Sequence, residues 1–222
     1  EDLIEQGFLP QAVVNFIALL GWSPDSDREI FTLEELVKEF DYHRIGKSPA
    51  VFDYTKLRWM NGEYLKAMAP DEFYHLAEPY LKAVLHKENL DLSVIAELVR
   101  TRIEVFPDIT EMVDFFEELP DYDASMFENK KQKATCENSL QILKDFVPIL
   151  KEQEIFTNDA LFEKVSAYAE EKELKNKTVI WALRIAVSGK AVTPAGATQI
   201  MEIIGKEETL SRMETAIGKL SV

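Results

Sequence analysis

Cysteine occurs once in this chain, at Cys136, and histidine three times, at His43, His75 and His86. A single thiol closes no internal disulfide, which fits a reducing compartment and points to the cytoplasm. The spacing of these four residues matches no metal-ligand pattern. Cations are scarce as well: 25 lysines and arginines face 40 aspartates and glutamates, a net charge of −15. This argues against bulk attraction to a polyanion and leaves room for a specific site, since phosphate contacts depend on local cations. No apolar run approaches the roughly 20 residues of a spanning helix, and membranes are not expected partners. Glu1–Gln6 has neither the basic start nor the apolar centre of a signal peptide. The start on Glu1 rather than Met reads as a trimmed protein or an excised fragment. A glycine-rich phosphate cradle and a nucleophile elbow are both missing. Adjacent carboxylates such as Glu34–Glu35 and Glu117–Glu118 read as solvated helix faces, not acid/base pairs.

What is present is a globular composition, 46% hydrophobic and 29% charged over 222 residues. The apolar spacing is helical almost throughout, and no stretch alternates long enough for a strand, so the fold is predicted all-α. Glu1–Gln6 reads as a helix end broken by Gly7, and Pro10 opens a new helix carrying Val13, Phe16, Ile17 and Leu20. Thr32-Leu33-Glu34-Glu35 has capping-box spacing for a helix to about Phe40. Asp71–Leu85 is helical in pattern, with Pro79 marking a kink or boundary. Ile95, Leu98, Val99 and Ile103 share one face, with Arg100 and Arg102 off it, and Asp108 heads a helix through Phe116. Further helices are expected over Asn129–Leu150, Asn158–Lys172, Thr178–Val187, Thr198–Ile204 and Lys206–Leu220.

One stretch concentrates the scarce cations. Residues 43–62 hold Arg44, Lys47, Lys56 and Arg58 beside Phe52 and Trp59, and Asp53 is placed to cap a helix. Leu57, Trp59 and Met60 are expected to face inward and Lys56 and Arg58 outward. Spacing alone supports two readings, a solvated amphipathic helix or a polyanion contact over an aromatic floor.

Two motifs go beyond composition. Residues 7–23, from Gly7-Phe8-Leu9-Pro10 to Leu20-Gly21-Trp22-Ser23, resemble the segment after the signature lysine loop of bacterial-type glutamyl-tRNA synthetases. Phe52-Asp53-Tyr54-Thr55-Lys56-Leu57-Arg58-Trp59-Met60-Asn61-Gly62 resembles that family's "FD-x-x-KL-x-W-x-N" element. The likeness runs on through Arg100-Thr101-Arg102 and Ala182–Gly189 to Ile204-Gly205-Lys206-Glu207. The two ATP signatures of these class I enzymes are absent.

The resemblance implies the tRNA-recognition portion of a glutamate–tRNA ligase, without its catalytic domain and not active alone. It implies a stem-contact fold over 1–68 and an anticodon-binding region in two parts, 69–128 and 129–222. Glutamate tRNA would be the partner, not DNA, and the protein a monomer. This fragment would hold no cofactor, ATP and Mg belonging to the catalytic domain. Lys47, Lys56 and Arg58 would meet the tRNA stem. Arg102 matches the arginine that reads the third anticodon base and Arg184 one placed at the first, with Arg100, Lys190 and Thr193 beside them. Pro194-Ala195-Gly196 departs from the family's tighter Pro-Gly by one residue. The rival reading is an acidic all-helical module that binds proteins and no RNA.

Overall fold

The computed structural model describes residues 2–46 and 51–221. Eleven α-helices and two short 3-10 turns form among these residues, with no strand beyond two isolated bridges, Trp22 to Ile45 and Asn129 to Ala134. The all-α expectation holds. The fold divides into two compact units, residues 1–84 with 92–111, and residues 85–91 with 112–222.

In the first unit α1 (Pro10–Gly21) starts on its proline, and α2 (Leu33–Glu39) opens with the full capping box of Thr32 and Glu35. Asp53 caps α3 (Tyr54–Ala67) by accepting from the Lys56 N–H. α1 packs on α3 through Phe8, Phe16, Leu57, Met60 and Val105. α4 (Pro70–Lys82) packs on α5 (Leu92–Arg100), and α6 (Asp108–Glu117) begins in this unit. α3 runs unbroken through Gly62, and a side chain there would press on the Ile103 carbonyl, 3.3 Å from an added Cβ. Gly7 has φ +85°, and a Cβ on it would lie 2.5 Å from Pro107 Cδ.

The second unit surrounds α9 (Asn176–Ser188), which packs on α7 (Cys136–Glu152), α8 (Asn158–Glu171), α10 (Ala197–Ile204) and α11 (Lys206–Leu220). A helix covered on several sides has to be apolar nearly all round, which explains the Val179–Val187 run, interrupted by Arg184 alone.

Four expectations are corrected. Residues 3–7 form turns, not a helix end. Pro79 lies exposed inside α4 and marks no boundary between two helices. The helix expected from Asn129 starts at Cys136, because Lys133 takes φ 56° and Thr135 caps with Asn138. Trp59 is 40% exposed rather than inward, two residues and about 200° round the helix from buried Leu57.

Candidate nucleic-acid interface

The scarce cations can be sorted by what already neutralises them. In the first unit Lys56 pairs with Glu29. Arg58 donates from Nε to Glu104 at 2.9 Å and from a terminal nitrogen to both oxygens of Asp108 at 3.0 and 2.8 Å. Burial acts to lower the Arg58 pKa, but its bonds to Asp108 and Glu104 outweigh that and raise it. One cation facing two carboxylates offers little to a phosphate. Arg100 forks onto Glu97 at 2.8 and 2.7 Å and donates to the Lys66 and Met68 carbonyls, and the Glu97 bond raises its pKa. Lys47 lies outside the described residues.

Arg102 differs from Lys56, Arg58 and Arg100. The loop after α5 is hung on buried Ile103, Val105 and Phe106, and the Phe106 ring packs against Phe73 and Tyr80. The Arg102 and Ile103 N–H groups both bond the Val99 carbonyl. The Arg102 side chain points to solvent, with no hydrogen bond or ion pair among the described residues. It is a planar five-donor cation held open on a short, well-anchored loop.

The anchoring involves residues that spacing did not single out as a group. Asp108 Oδ2 accepts from the Glu104 and Val105 N–H groups at 3.1 Å while holding Arg58. Asn61, fully buried, accepts from the Leu9 N–H at 2.8 Å and donates to the Glu104 carbonyl. The resemblance drew attention to Asn61, but its partners lie 52 and 43 positions away.

In the second unit Arg184 sits partly buried on α9. The Ser188 hydroxyl donates to the Arg184 carbonyl at 2.7 Å and accepts from the Lys190 N–H at 3.1 Å, which shapes the start of the next loop. Lys190 pairs with Asp114 and lies 5.8 Å from the Phe115 ring centre. Thr193 is buried, its hydroxyl donating to the Ala195 carbonyl at 2.7 Å. The exposed tip is Ala191 and Val192, the latter 83% exposed. Arg184, Lys190 and Thr193 thus share one turn and loop, in which Thr193 shapes the backbone.

Beneath this loop lies an arginine that sequence reasoning passed over. Arg212 is 2% exposed and donates to the Phe115 and Val187 carbonyls, both at 2.7 Å, and to Glu208 at 2.8 Å. It sets a positive charge at the C-terminal ends of α6 and α9, where the helix dipoles favour one. Burial acts to raise the Glu208 pKa, yet Arg212 and Lys87 bring it below the ordinary carboxylate value. The signal in the sequence was Thr209, Arg212, Met213 and Ala216 at helical spacing, with one cation on an apolar face.

Among the described residues no three His, Cys, Asp or Glu side chains gather to hold a metal ion. Burial raises the Cys136 pKa, so this thiol is not activated.

A family model described as "Anticodon binding domain" matches residues 72–217, about two thirds of the chain. The chain belongs to the anticodon binding domain family. Ahead of this anticodon binding domain, residues 1–59 match "tRNA synthetases class I (E and Q), catalytic domain". Over its whole length the chain is 54% identical to a glutamate–tRNA ligase of Lachnoclostridium phytofermentans and, over 99%, 50% identical to one of Clostridium acetobutylicum. It spans 45% of each of these relatives. Among solved structures, a glutamate tRNA ligase of Elizabethkingia meningosepticum in complex with its amino acid matches 98% of the chain, with TM-score 0.82 and 30% identity. The chain covers 42% of that protein. The matched residues 72–217 include Arg102, Arg184 and the loop of Lys190 and Thr193.

Proposed function

We propose that this chain is the tRNA-recognition part of a glutamate–tRNA ligase, and that Arg102 reads the third anticodon base. The observation that carries the reading is the unpartnered Arg102 guanidinium on a fixed loop, whereas Lys56, Arg58 and Arg100, the other assigned cations of that unit among the described residues, are paired. Glutamate anticodons end in C and glutamine anticodons in G. Cytosine offers acceptors at O2 and N3, which suit a group that only donates; guanine places N–H donors at that edge. An unpaired anticodon base exposes this edge fully.

The rest of the proposal follows the family. Residues 1–68 form the stem-contact fold, 69–128 and 129–222 the two anticodon-binding parts. Arg184, with Lys190 and Thr193 shaping its loop, lies at the first anticodon base. Lys47 and Lys56 approach the stem, Lys56 by exchanging Glu29 for a phosphate. ATP and Mg belong with the remainder of the class I catalytic domain. The protein works in the cytoplasm as a monomer, with glutamate tRNA as its partner and neither DNA nor membrane. No helix among the described residues is long and apolar enough to cross a membrane.

The test is a binding titration with glutamate tRNA and a variant carrying G as the third anticodon base, at several salt concentrations. The chain is expected to prefer C, and Arg102→Gln to lose about 1–3 kcal/mol of that preference. Equal binding of both RNAs by the unmodified, folded chain overturns the reading.

A further inference from the structure

We infer that Arg58, Asp108 and Asn61 are positioning residues for Arg102, and that Arg58 serves anticodon discrimination from inside the protein instead of meeting the tRNA stem. The inference rests on Arg102 as reader of the third base.

Two tethers from α3, at Arg58 and Asn61, hold the segment 101–108, and Asp108 braces it from within. Arg58 grips Glu104 and Asp108 with three hydrogen bonds of 2.8–3.0 Å. Asp108 folds the segment on itself by accepting from Glu104 and Val105 N–H groups. Asn61 fixes the Glu104 carbonyl and the Leu9 N–H together. Gly62 lets the Ile103 carbonyl approach α3 closely, and on the α5 side Arg100 ties the helix end to the Lys66 and Met68 carbonyls. Every one of these partners except Leu9 lies on α3, just past its end at Met68, or within six residues of Arg102.

The charge arithmetic points the same way. Arg58 is enclosed by two carboxylates, so a phosphate approaching it meets net negative charge. Arg102, by contrast, needs a fixed backbone, because a guanidinium discriminates bases through direction and loses that when its loop wanders. The element holding the family-like "KL-x-W-x-N" residues is thus a mount for the reader.

The two roles for Arg58 give different signatures. A phosphate contact, when removed, weakens binding of every tRNA alike and lowers the salt slope by about one. A positioning residue, when removed, lowers the ratio between C- and G-ending anticodons and leaves the salt slope in place. The experiment compares the 222-residue chain with its Arg58→Met, Arg58→Lys, Asp108→Asn and Arg102→Gln variants, and with the Arg58→Met/Arg102→Gln double variant. Each is titrated with the two RNAs, and helicity is checked by circular dichroism. Asp108→Asn keeps an acceptor for the loop N–H groups while removing the charge, so it decides the matter should Arg58→Met fold poorly.

Arg102→Gln is expected to lose about tenfold or more in preference. Arg58→Met and Asp108→Asn should lose most of the same preference, Arg58→Lys should recover part, and the double variant should fall no further than Arg102→Gln. Folded Arg58→Met and Asp108→Asn proteins that keep the full preference overturn the inference while leaving Arg102 as reader. Equal weakening toward both RNAs with a smaller salt slope also overturns it and restores the stem contact. An unchanged preference in Arg102→Gln defeats the anticodon reading itself.

Discussion

In the first unit the proposed reader, Arg102, is bare and Arg58 and Arg100 near it are locked; in the second, Arg184 is partly buried and the locked arginine, Arg212, is buried against the ends of α6 and α9. The first arrangement uses carboxylates that remain partly in water, 45% and 28% exposed at Glu104 and Asp108. The second relies mainly on backbone carbonyls at two helix ends, which do not titrate, with the Glu208 carboxylate as one further partner. Salt screens the former and barely reaches the latter. The contrast teaches that one chain can fix a contact surface by exposed ion pairs around a free donor, or by a buried donor under a folded loop.

The widest gap between the two units should come from Arg212→Met. It orphans two carbonyls of the second unit and leaves Glu208 without its buried partner. The expected loss is about 3–5 kcal/mol in urea unfolding, with the first unit's transition unmoved. A loss below 1 kcal/mol would mean that the second unit is not held from below.

Next comes Asn61→Ala, which strands the Leu9 N–H and the Glu104 carbonyl and should lower stability by on the order of 2–4 kcal/mol, this time in the first unit. A loss in the second unit's transition instead would blur the comparison.

Trp59→Ala should be milder. A fully buried tryptophan would cost about 3–5 kcal/mol. With 40% exposure, more than half of its surface still covered, the expected change is about 1–2 kcal/mol, read from the melting temperature.

The smallest effect concerns acid. The Arg28 bond, then the Thr32 N–H, hold the Glu35 carboxyl down at about 2. A depressed carboxyl contributes stability above its unfolded value and loses it as pH falls through the folded one. The α2 cap should therefore survive at pH 4 and open toward pH 2, visible as the Glu35 carboxyl titration by NMR. A midpoint near pH 4.3 would show the cap to be ineffective.

The sequence made the helices legible wherever a local signal marked an end. Thr32 with Glu35 and Asp53 before Tyr54 were found that way. Thr135 was missed because its capping box closes on Asn138, not the usual Glu or Gln, so the helix was started early. Trp59 was misplaced because neighbouring apolar residues were read as one face, although helical geometry separates them. The candidate site was legible in Arg102 only through family motifs, since spacing marks it merely as lying off a face. The clasp was not legible: Arg58 and its partners lie 46 and 50 positions apart, and no local pattern joins them. Arg212 could have been found, as a cation among buried helix positions.

Gly7 sets a limit on how this chain can drift over generations. A methyl group there would collide with Pro107, a neighbour 100 positions later, and the backbone angle would remain unfavourable even with that proline gone. Pro107 stands in the loop that presents Arg102, immediately before Asp108. No single codon change at position 7 to a larger residue leaves the loop undisturbed. A lineage that alters this glycine has to rebuild the ground under Arg102 in the same stretch of its history.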